Sequence, residues 1–120
     1  MPDLCPPRGP GLSRFCAQAF ACVDVLALPT SPVTTPTIAE AGSSDARFTA
    51  IANRLGSLVG PFNYLGLPAL SLPVGPDRRG MPIGLQLVAR PFGEALLLRV
   101  AHAFQEVAGP FGPPPSADRA

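Results

Sequence analysis

Apolar residues recur with helical spacing in three stretches of the chain. The first begins at Leu12 and presents one apolar face up to about residue 23. A second helix follows Ser43 or Ser44, either of which can cap it, and Gly60-Pro61 is expected to end it. The third covers residues 94–107 and places its charged residues opposite the apolar ones. The spacing therefore predicts three amphipathic helices, each with one buried face.

Short apolar segments between these helices predict strands. The first, residues 24–28, is stopped by Pro29 and followed by a long Pro-rich loop that continues to the second helix. Residues 69–74 and 83–89 flank the polar turn GPDRRGMP, so we expect an antiparallel hairpin. Both segments are apolar on both faces, which is typical of a sheet covered on its two sides. The pattern predicts an α/β fold with helices packed on a central sheet.

Two polar residues inside the apolar hairpin predict its register. If Val74 pairs with Ile83, antiparallel counting places Ser71 opposite Gln86. The two side chains would then share one face and could hydrogen-bond to each other, which avoids the cost of unpaired buried groups. Pro73 has no N–H to donate, so it needs a strand end, a bulge or an unpaired position.

Composition and charge exclude several classes of partner. Hydrophobic residues make up 47% of the 120 residues and charged residues 14%, which indicates a heavily buried chain. The formal net charge is +1, and the nine basic residues, all arginines, are scattered along the chain. Because no basic stripe or basic amphipathic helix is present, neither nucleic acid nor a membrane surface is expected as a partner.

One uncharged segment, residues 55–76, is long enough to cross a membrane. It contains Pro61, Pro68, Pro73 and Pro76, and interior prolines remove helical hydrogen bonds. We therefore expect no membrane span there. The first residues, MPDLCPPRGPG, lack the charged and apolar regions of a signal peptide. A cytoplasmic location is expected.

The few metal-ligating and nucleophilic side chains do not form a recognisable site. Cys5, Cys16 and Cys22 lack metal-ligand spacing, so no metal or cofactor is expected. Cys16 and Cys22 are instead expected to pack as small apolar residues in a reducing compartment. His102, the one histidine, falls on the polar face of the last helix, where a surface position is expected.

Four segments in a fixed order resemble the C-terminal part of the amidase-signature family. They are RFCAQAFACVDVLALPTSP at 14–32, FNYLGLPALSLPVG at 62–75, PIGLQLVARPF at 82–92 and EALLLRVAHAFQE at 94–106. The resemblance implies that residues 12–108 are the C-terminal part of an amidase domain and contribute to a mixed sheet covered by helices. Residues 1–11 are then a disordered or non-native start, and residues 109–120 a mobile tail.

The resemblance also implies amide-bond hydrolysis by a Ser–Ser–Lys apparatus whose residues lie upstream of this region. A serine hydroxyl needs a base to take its proton, and arginine stays protonated, so it cannot replace the lysine. This chain has no lysine. Its nearest imitation of the family's Gly/Ser-rich stretch is Gly42-Ser43-Ser44, where a helix cap is the ordinary use of the serines. The chain is therefore predicted to contain no catalytic residue and to be inactive alone.

Two loops are implied by the resemblance to line the acyl pocket of a complete enzyme. The candidate pocket residues are Thr30, Ser31, Phe62, Asn63, Leu67 and Pro68. The alternative is ordinary turn chemistry, with Asn63 bonding to local backbone. A small-molecule amide is the expected substrate of the complete enzyme only, and the missing N-terminal amidase portion is a possible partner. A stand-alone, non-catalytic binding module is the alternative function, and the region does not separate simple amidases from the glutamine-hydrolysing component of a tRNA-dependent amidotransferase.

Overall fold

The described part of the chain consists of a small sheet and five helices. The computed structural model describes residues 11–111. The elements in chain order are α1 (Leu12–Cys22), β1 (Val25–Pro29), α2 (Ile38–Ala41), α3 (Asp45–Gly56), α4 (Gly60–Leu65), β2 (Ala69–Pro76), β3 (Pro82–Ala89) and α5 (Glu94–Ala108). The expected start, residues 1–11, and tail, residues 109–120, lie almost wholly outside the described residues. The α/β class predicted from the sequence is confirmed.

The three strands are antiparallel in the order β1-β3-β2. The predicted β2–β3 hairpin is present, and Ser71 pairs with Gln86 as expected. The expected pairing of Val74 with Ile83 is wrong, because the register shifts between Pro73 and Gly75 and Gly75 faces Ile83. Pro73 cannot donate a ladder hydrogen bond, and it lies on an edge strand next to this bulge, which is where proline is tolerated.

Ser71 and Gln86 share a register position but each finds another partner. The Gln86 side chain, which is only 3% exposed, donates its Nε2–H to the carbonyl oxygen of Leu58 at 3.3 Å. The Ser71 hydroxyl lies 2.6 Å from the Thr30 hydroxyl instead. The expected hydrogen bond between the pair is therefore wrong. The physical reason is that Thr30, directly after β1, and Leu58, before α4, offer a partner to each side chain on this face.

Helices cover both faces of the sheet, as the apolar strands predicted. On one face α5 contributes Leu97 and Ala101 to a core with Leu72, Leu87 and Ala89. On the other face α1 and α4 contribute Cys16, Phe20 and Phe62, which pack against Val88. Leu87 and Val88 are neighbours in the central strand and point to opposite faces. Val88 is fully buried, so the C-terminal end of β3 joins the two cores.

Two helices lie where the sequence predicted a loop and a turn. Helix α2 interrupts the Pro-rich loop, with Thr37 and Glu40 forming a reciprocal capping box. Gly60-Pro61, expected to end a helix, begins α4 instead, because proline is tolerated in a helix's first turn. The predicted second helix corresponds to α3, and α4 is an additional helix in the segment predicted as a turn. Gly66 ends α4 with a left-handed φ of 63°.

The two described cysteines differ in burial. Cys16 is 3% exposed and packs as an apolar core residue, as expected. Cys22 is exposed, so that expectation is wrong, because a position two residues after the buried Phe20 lies on the opposite side of the helix. Within residues 11–111, no helix has the length and apolar character needed to cross a membrane.

Candidate functional site

Two hydroxyl groups meet across the central strand at the end of β1. The Thr30 amide donates to the carbonyl of Gly84 at 2.9 Å, which extends the β1–β3 ladder by one residue. The Thr30 hydroxyl then lies 2.6 Å from that of Ser71 on β2. A Cβ atom at Gly84 would lie 2.7 Å from Thr30 Oγ1 and 3.0 Å from Ser71 Oγ. The absence of a side chain at Gly84 therefore lets the two hydroxyls meet above β3.

A cleft of about 320 Å³ opens beside this pair. One wall is the loop of residues 30–35, and the other is formed by Asp77 and by Pro82, Ile83 and Gly84, with Leu55 of α3 at one side. Thr30 and Ser31 both line it, and the Ser31 hydroxyl accepts a hydrogen bond from the Val33 amide at 3.3 Å. Hydroxyl groups and apolar side chains therefore line the same cleft. Such a lining suits a small ligand that has a polar group and an apolar part.

The other four predicted pocket residues lie apart from this cleft. Phe62 is buried and Leu67 half-buried, and both pack in the core beside Val88. The Pro68 carbonyl accepts a hydrogen bond from the Ala89 amide at 3.1 Å. Asn63 is exposed on α4, and its carbonyl accepts from the Gly66 amide. The structure therefore brings together Thr30 and Ser31 but not the residues of the 62–68 segment, whose pocket role stays a prediction.

Arg79 holds the 30–35 loop against the hairpin turn. Its guanidinium donates to the Thr35 carbonyl and to the Thr34 hydroxyl, the latter at 3.3 Å. Asp77 fixes this arginine with a salt bridge at 3.3 Å. Hydrogen bonds from the backbone N–H of Met81 and of Arg79 hold the pKa of the Asp77 carboxyl below its usual value. These contacts join two segments that line the cleft, and neither Arg79 nor Asp77 was predicted as a site residue.

Ser43 and Ser44, the serines compared with the family's catalytic pair, form hydrogen bonds with nearby backbone groups. Ser44 accepts a hydrogen bond from the Arg47 amide at 3.3 Å and caps α3, as the sequence predicted. The Ser43 hydroxyl donates to the Glu40 carbonyl at 3.2 Å. His102 is exposed on α5, as predicted.

Comparison with known proteins identifies the family. The family model described as Amidase matches residues 8–98. The chain belongs to the amidase family. Among relatives of this amidase chain, a fatty acid amide hydrolase of Oryza sativa subsp. indica is 48% identical over 94 residues, which are 75% of this chain and 15% of that protein. The fatty acid amide hydrolase of Medicago truncatula is 41% identical over 102 residues, or 82% of this chain and 16% of that protein.

The amidase fold is also found in solved structures. The structure of 6-aminohexanoate cyclic dimer hydrolase superposes with a TM-score of 0.63 and 38% sequence identity. The match covers 71% of this chain and 19% of the hydrolase. The chain thus spans only 15 to 19% of the length of these amidase relatives.

Gly84→Ala is expected to lower the free energy of unfolding by about 1–3 kcal/mol, since the new methyl group would overlap the Thr30 and Ser71 hydroxyls. Urea unfolding followed by far-ultraviolet circular dichroism measures the change. Gly56→Ala is the matched control, because a Cβ there meets no atom within 4 Å. An unchanged midpoint for Gly84→Ala would show that the hydroxyl pair is not packed as described.

Proposed function

We propose that the chain is the C-terminal part of an enzyme that hydrolyses carbon–nitrogen amide bonds. In that enzyme it supplies core sheet and part of the pocket wall, and the Ser–Ser–Lys residues come from the upstream part. The observation that carries the proposal is the match of residues 8–98 to the amidase family. Two of the relatives are named fatty acid amide hydrolases, which supports a small-molecule amide as the substrate class.

The cleft beside β1 supports a role in the pocket wall. Thr30 and Ser31 line it, and the Thr30–Ser71 pair has two hydroxyl protons, of which the mutual hydrogen bond uses one. The remaining proton is available for an acceptor such as an amide carbonyl. Asn63 is exposed and can contact substrate directly, whereas Phe62, Leu67 and Pro68 would shape the wall through packing.

The serine contacts support a non-catalytic role. A serine nucleophile needs a base within hydrogen-bond reach, and the chain has no lysine to serve as one. Ser43 and Ser44 bond to backbone groups at the ends of α2 and α3. In this proposal the chain forms part of the substrate pocket, and the rest of the enzyme carries the residues that cleave the amide bond.

The exposed surface supports the N-terminal amidase portion as the partner. Within residues 11–111, β1 and β2 have no neighbouring strand on their outer sides. Large apolar side chains are also exposed, notably Phe15 at 63%, Phe48 at 60% and Tyr64 at 88%. Additional strands from the N-terminal portion would pair with the outer edges of β1 and β2, and additional helices would cover the exposed apolar side chains. Cys16 and Cys22 are free thiols, which supports the cytoplasm as the location.

A chimera tests this role. The segment of 6-aminohexanoate cyclic dimer hydrolase that matches this chain is replaced by residues 12–108 of this chain. Because the catalytic residues stay with the host enzyme, we expect the chimera to fold and to retain measurable kcat on the host's cyclic dimer. Its KM is expected to change, since part of the pocket wall is new.

Point variants of the chimera separate pocket from catalytic roles. Thr30→Ala and Ser31→Ala are expected to raise KM with little change in kcat, which is the signature of lost binding. Ser43→Ala and Ser44→Ala are the controls and should leave both constants near those of the parent chimera. A chimera that melts cooperatively but has no activity would contradict the proposal, as would loss of kcat in either control.

A further inference from the structure

A second cleft concentrates positive charge on the opposite side of the Pro-rich loop. It has a volume of about 210 Å³ and lies between residues 33–36, α3 and the hairpin turn. Among residues 11–111, three arginines line it, Arg47, Arg54 and Arg79, and Glu40 is the one acidic lining residue. The charges of these four side chains sum to +2, and Asp77, which forms the salt bridge with Arg79, lowers the local sum to +1.

The helical spacing of α3 places two of the arginines on the side of the helix that lines the cleft. Arg47, Ile51 and Arg54 are separated by four and then three residues, so they lie on one face of the helix. Seven residues of α-helix rise about 10 Å, and long guanidinium side chains from both ends of that span can reach an ion held between them. Arg79 enters from the hairpin turn on the other side and is fixed there by Asp77 and Thr35.

Glu40 does not neutralise these arginines through a direct bond. Its carboxylate accepts the Thr37 amide at 2.8 Å and the Thr37 hydroxyl at 3.0 Å. These bonds hold the pKa of the Glu40 carboxyl below its usual value, with nearby Arg79 and Arg47 acting in the same direction. Within residues 11–111, no hydrogen bond or salt bridge engages the guanidinium of Arg47 or Arg54. The guanidinium groups of Arg47 and Arg54 therefore line the cleft with N–H donors that no other described residue uses.

We propose that this cleft binds a small oxyanion, a phosphate or a carboxylate group. A guanidinium presents parallel N–H donors that match two oxygens of either group, and charge-assisted hydrogen bonds are the stronger kind. Ile51 supplies an apolar floor between the two guanidinium groups, which suits the carbon part of an organic anion. The site is separate from the Thr30–Ser31 cleft and does not depend on the proposed amide hydrolysis.

Isothermal titration of the full chain with inorganic phosphate and with citrate, at constant ionic strength, tests the proposal. Arg47→Gln and Arg54→Gln are each expected to weaken binding roughly fivefold or more, since each removes charged hydrogen-bond donors. Glu40→Gln keeps the capping hydrogen bonds but removes the negative charge, so it should tighten binding. Arg78→Gln is the matched control, because Arg78 neighbours Arg79 in the same turn but does not line the cleft.

Chemical protection gives a second measurement at the level of single residues. Bound phosphate or citrate is expected to slow the reaction of phenylglyoxal with Arg47 and Arg54, and not with Arg78, as followed by mass spectrometry. Protection by phosphate alone or by citrate alone identifies which oxyanion the cleft prefers. Binding of neither ion, or equal weakening by Arg78→Gln and Arg47→Gln, would overturn the proposal, because the latter indicates diffuse charge attraction.

Discussion

Purified by itself, the 120-residue chain is expected to hydrolyse benzamide no faster than buffer does. Enzymes of ordinary power accelerate reactions by about a millionfold or more, and most of that depends on an activated nucleophile and a stabilised oxyanion. The chain has no lysine to act as the base. Its candidate serine pair bonds to backbone at helix ends, and His102 lies exposed on α5. Product release measured by chromatography over long incubation checks the expectation.

The positive control for that assay is an intact amidase diluted to give a signal just above buffer. Trace contamination is distinguished from genuine turnover by Ser43→Ala and Ser44→Ala, purified in the same way. Turnover that persists through successive purification steps and disappears in either variant would show that the chain carries its own nucleophile. The proposal that the catalytic residues come from the upstream part of the enzyme would then be wrong.

The isolated chain is also expected to self-associate and to bind an apolar dye strongly. Phe92 is 95% exposed and Ile38 is 92% exposed, and both outer strands have free edges within the described residues. Exposed edges pair with other chains, and contiguous apolar surface drives association. Light scattering at increasing protein concentration and fluorescence of an anilinonaphthalene sulfonate dye measure the two effects.

A pair of phenylalanine variants separates surface exposure from unfolding in this experiment. Phe48→Ser removes a side chain that is 60% exposed, so it should lower dye binding without changing the helix content. Phe62→Ser alters a residue only 8% exposed and should unfold much of the chain, since loss of a buried phenylalanine costs about 3–5 kcal/mol. A monomer that melts cooperatively and binds no dye would instead favour the stand-alone binding module.

Elements with strong local patterns could be predicted from the sequence. Helices α1 and α5 and the β2–β3 hairpin follow from apolar spacing and from a polar turn between two apolar segments. The pairing of Ser71 with Gln86 followed from counting along the hairpin, and Pro73 indicated the irregularity beside it. In each case the residues that decide the structure are close together in the sequence.

The two missed helices had local signals with more than one meaning. Gly60-Pro61 can end one helix or begin the next, and periodicity alone does not distinguish the two. The Thr37–Glu40 spacing is that of a capping box and could have located α2, but the surrounding prolines favoured an extended loop. Tertiary context decided both cases.

The site geometry depends on contacts that no local pattern contains. The Thr30–Ser71 pair requires β1 to lie beside β3, and the sequence did not indicate where β1 would pair. Arg79 likewise reaches Thr34 and Thr35 from a turn far along the chain. The sequence placed Thr30 and Ser31 in a loop after a strand, but the partner residues that make that loop part of a cleft emerge only from the folded arrangement.

The strand order has a consequence for how the chain is synthesised. The central strand, β3, is the last of the three to leave the ribosome, and it supplies the hydrogen-bonding partner for both of the others. Val25 can pair with Ala89 only after β3 has been synthesised. Closing the long chain segment between these two residues is slow compared with forming a local hairpin. Within residues 11–111, β1 and β2 have no strand to pair with until β3 emerges. In a nascent chain stopped before Pro82, the β1 and β2 segments would lack the strand that joins them here, and their apolar residues would be targets for chaperones.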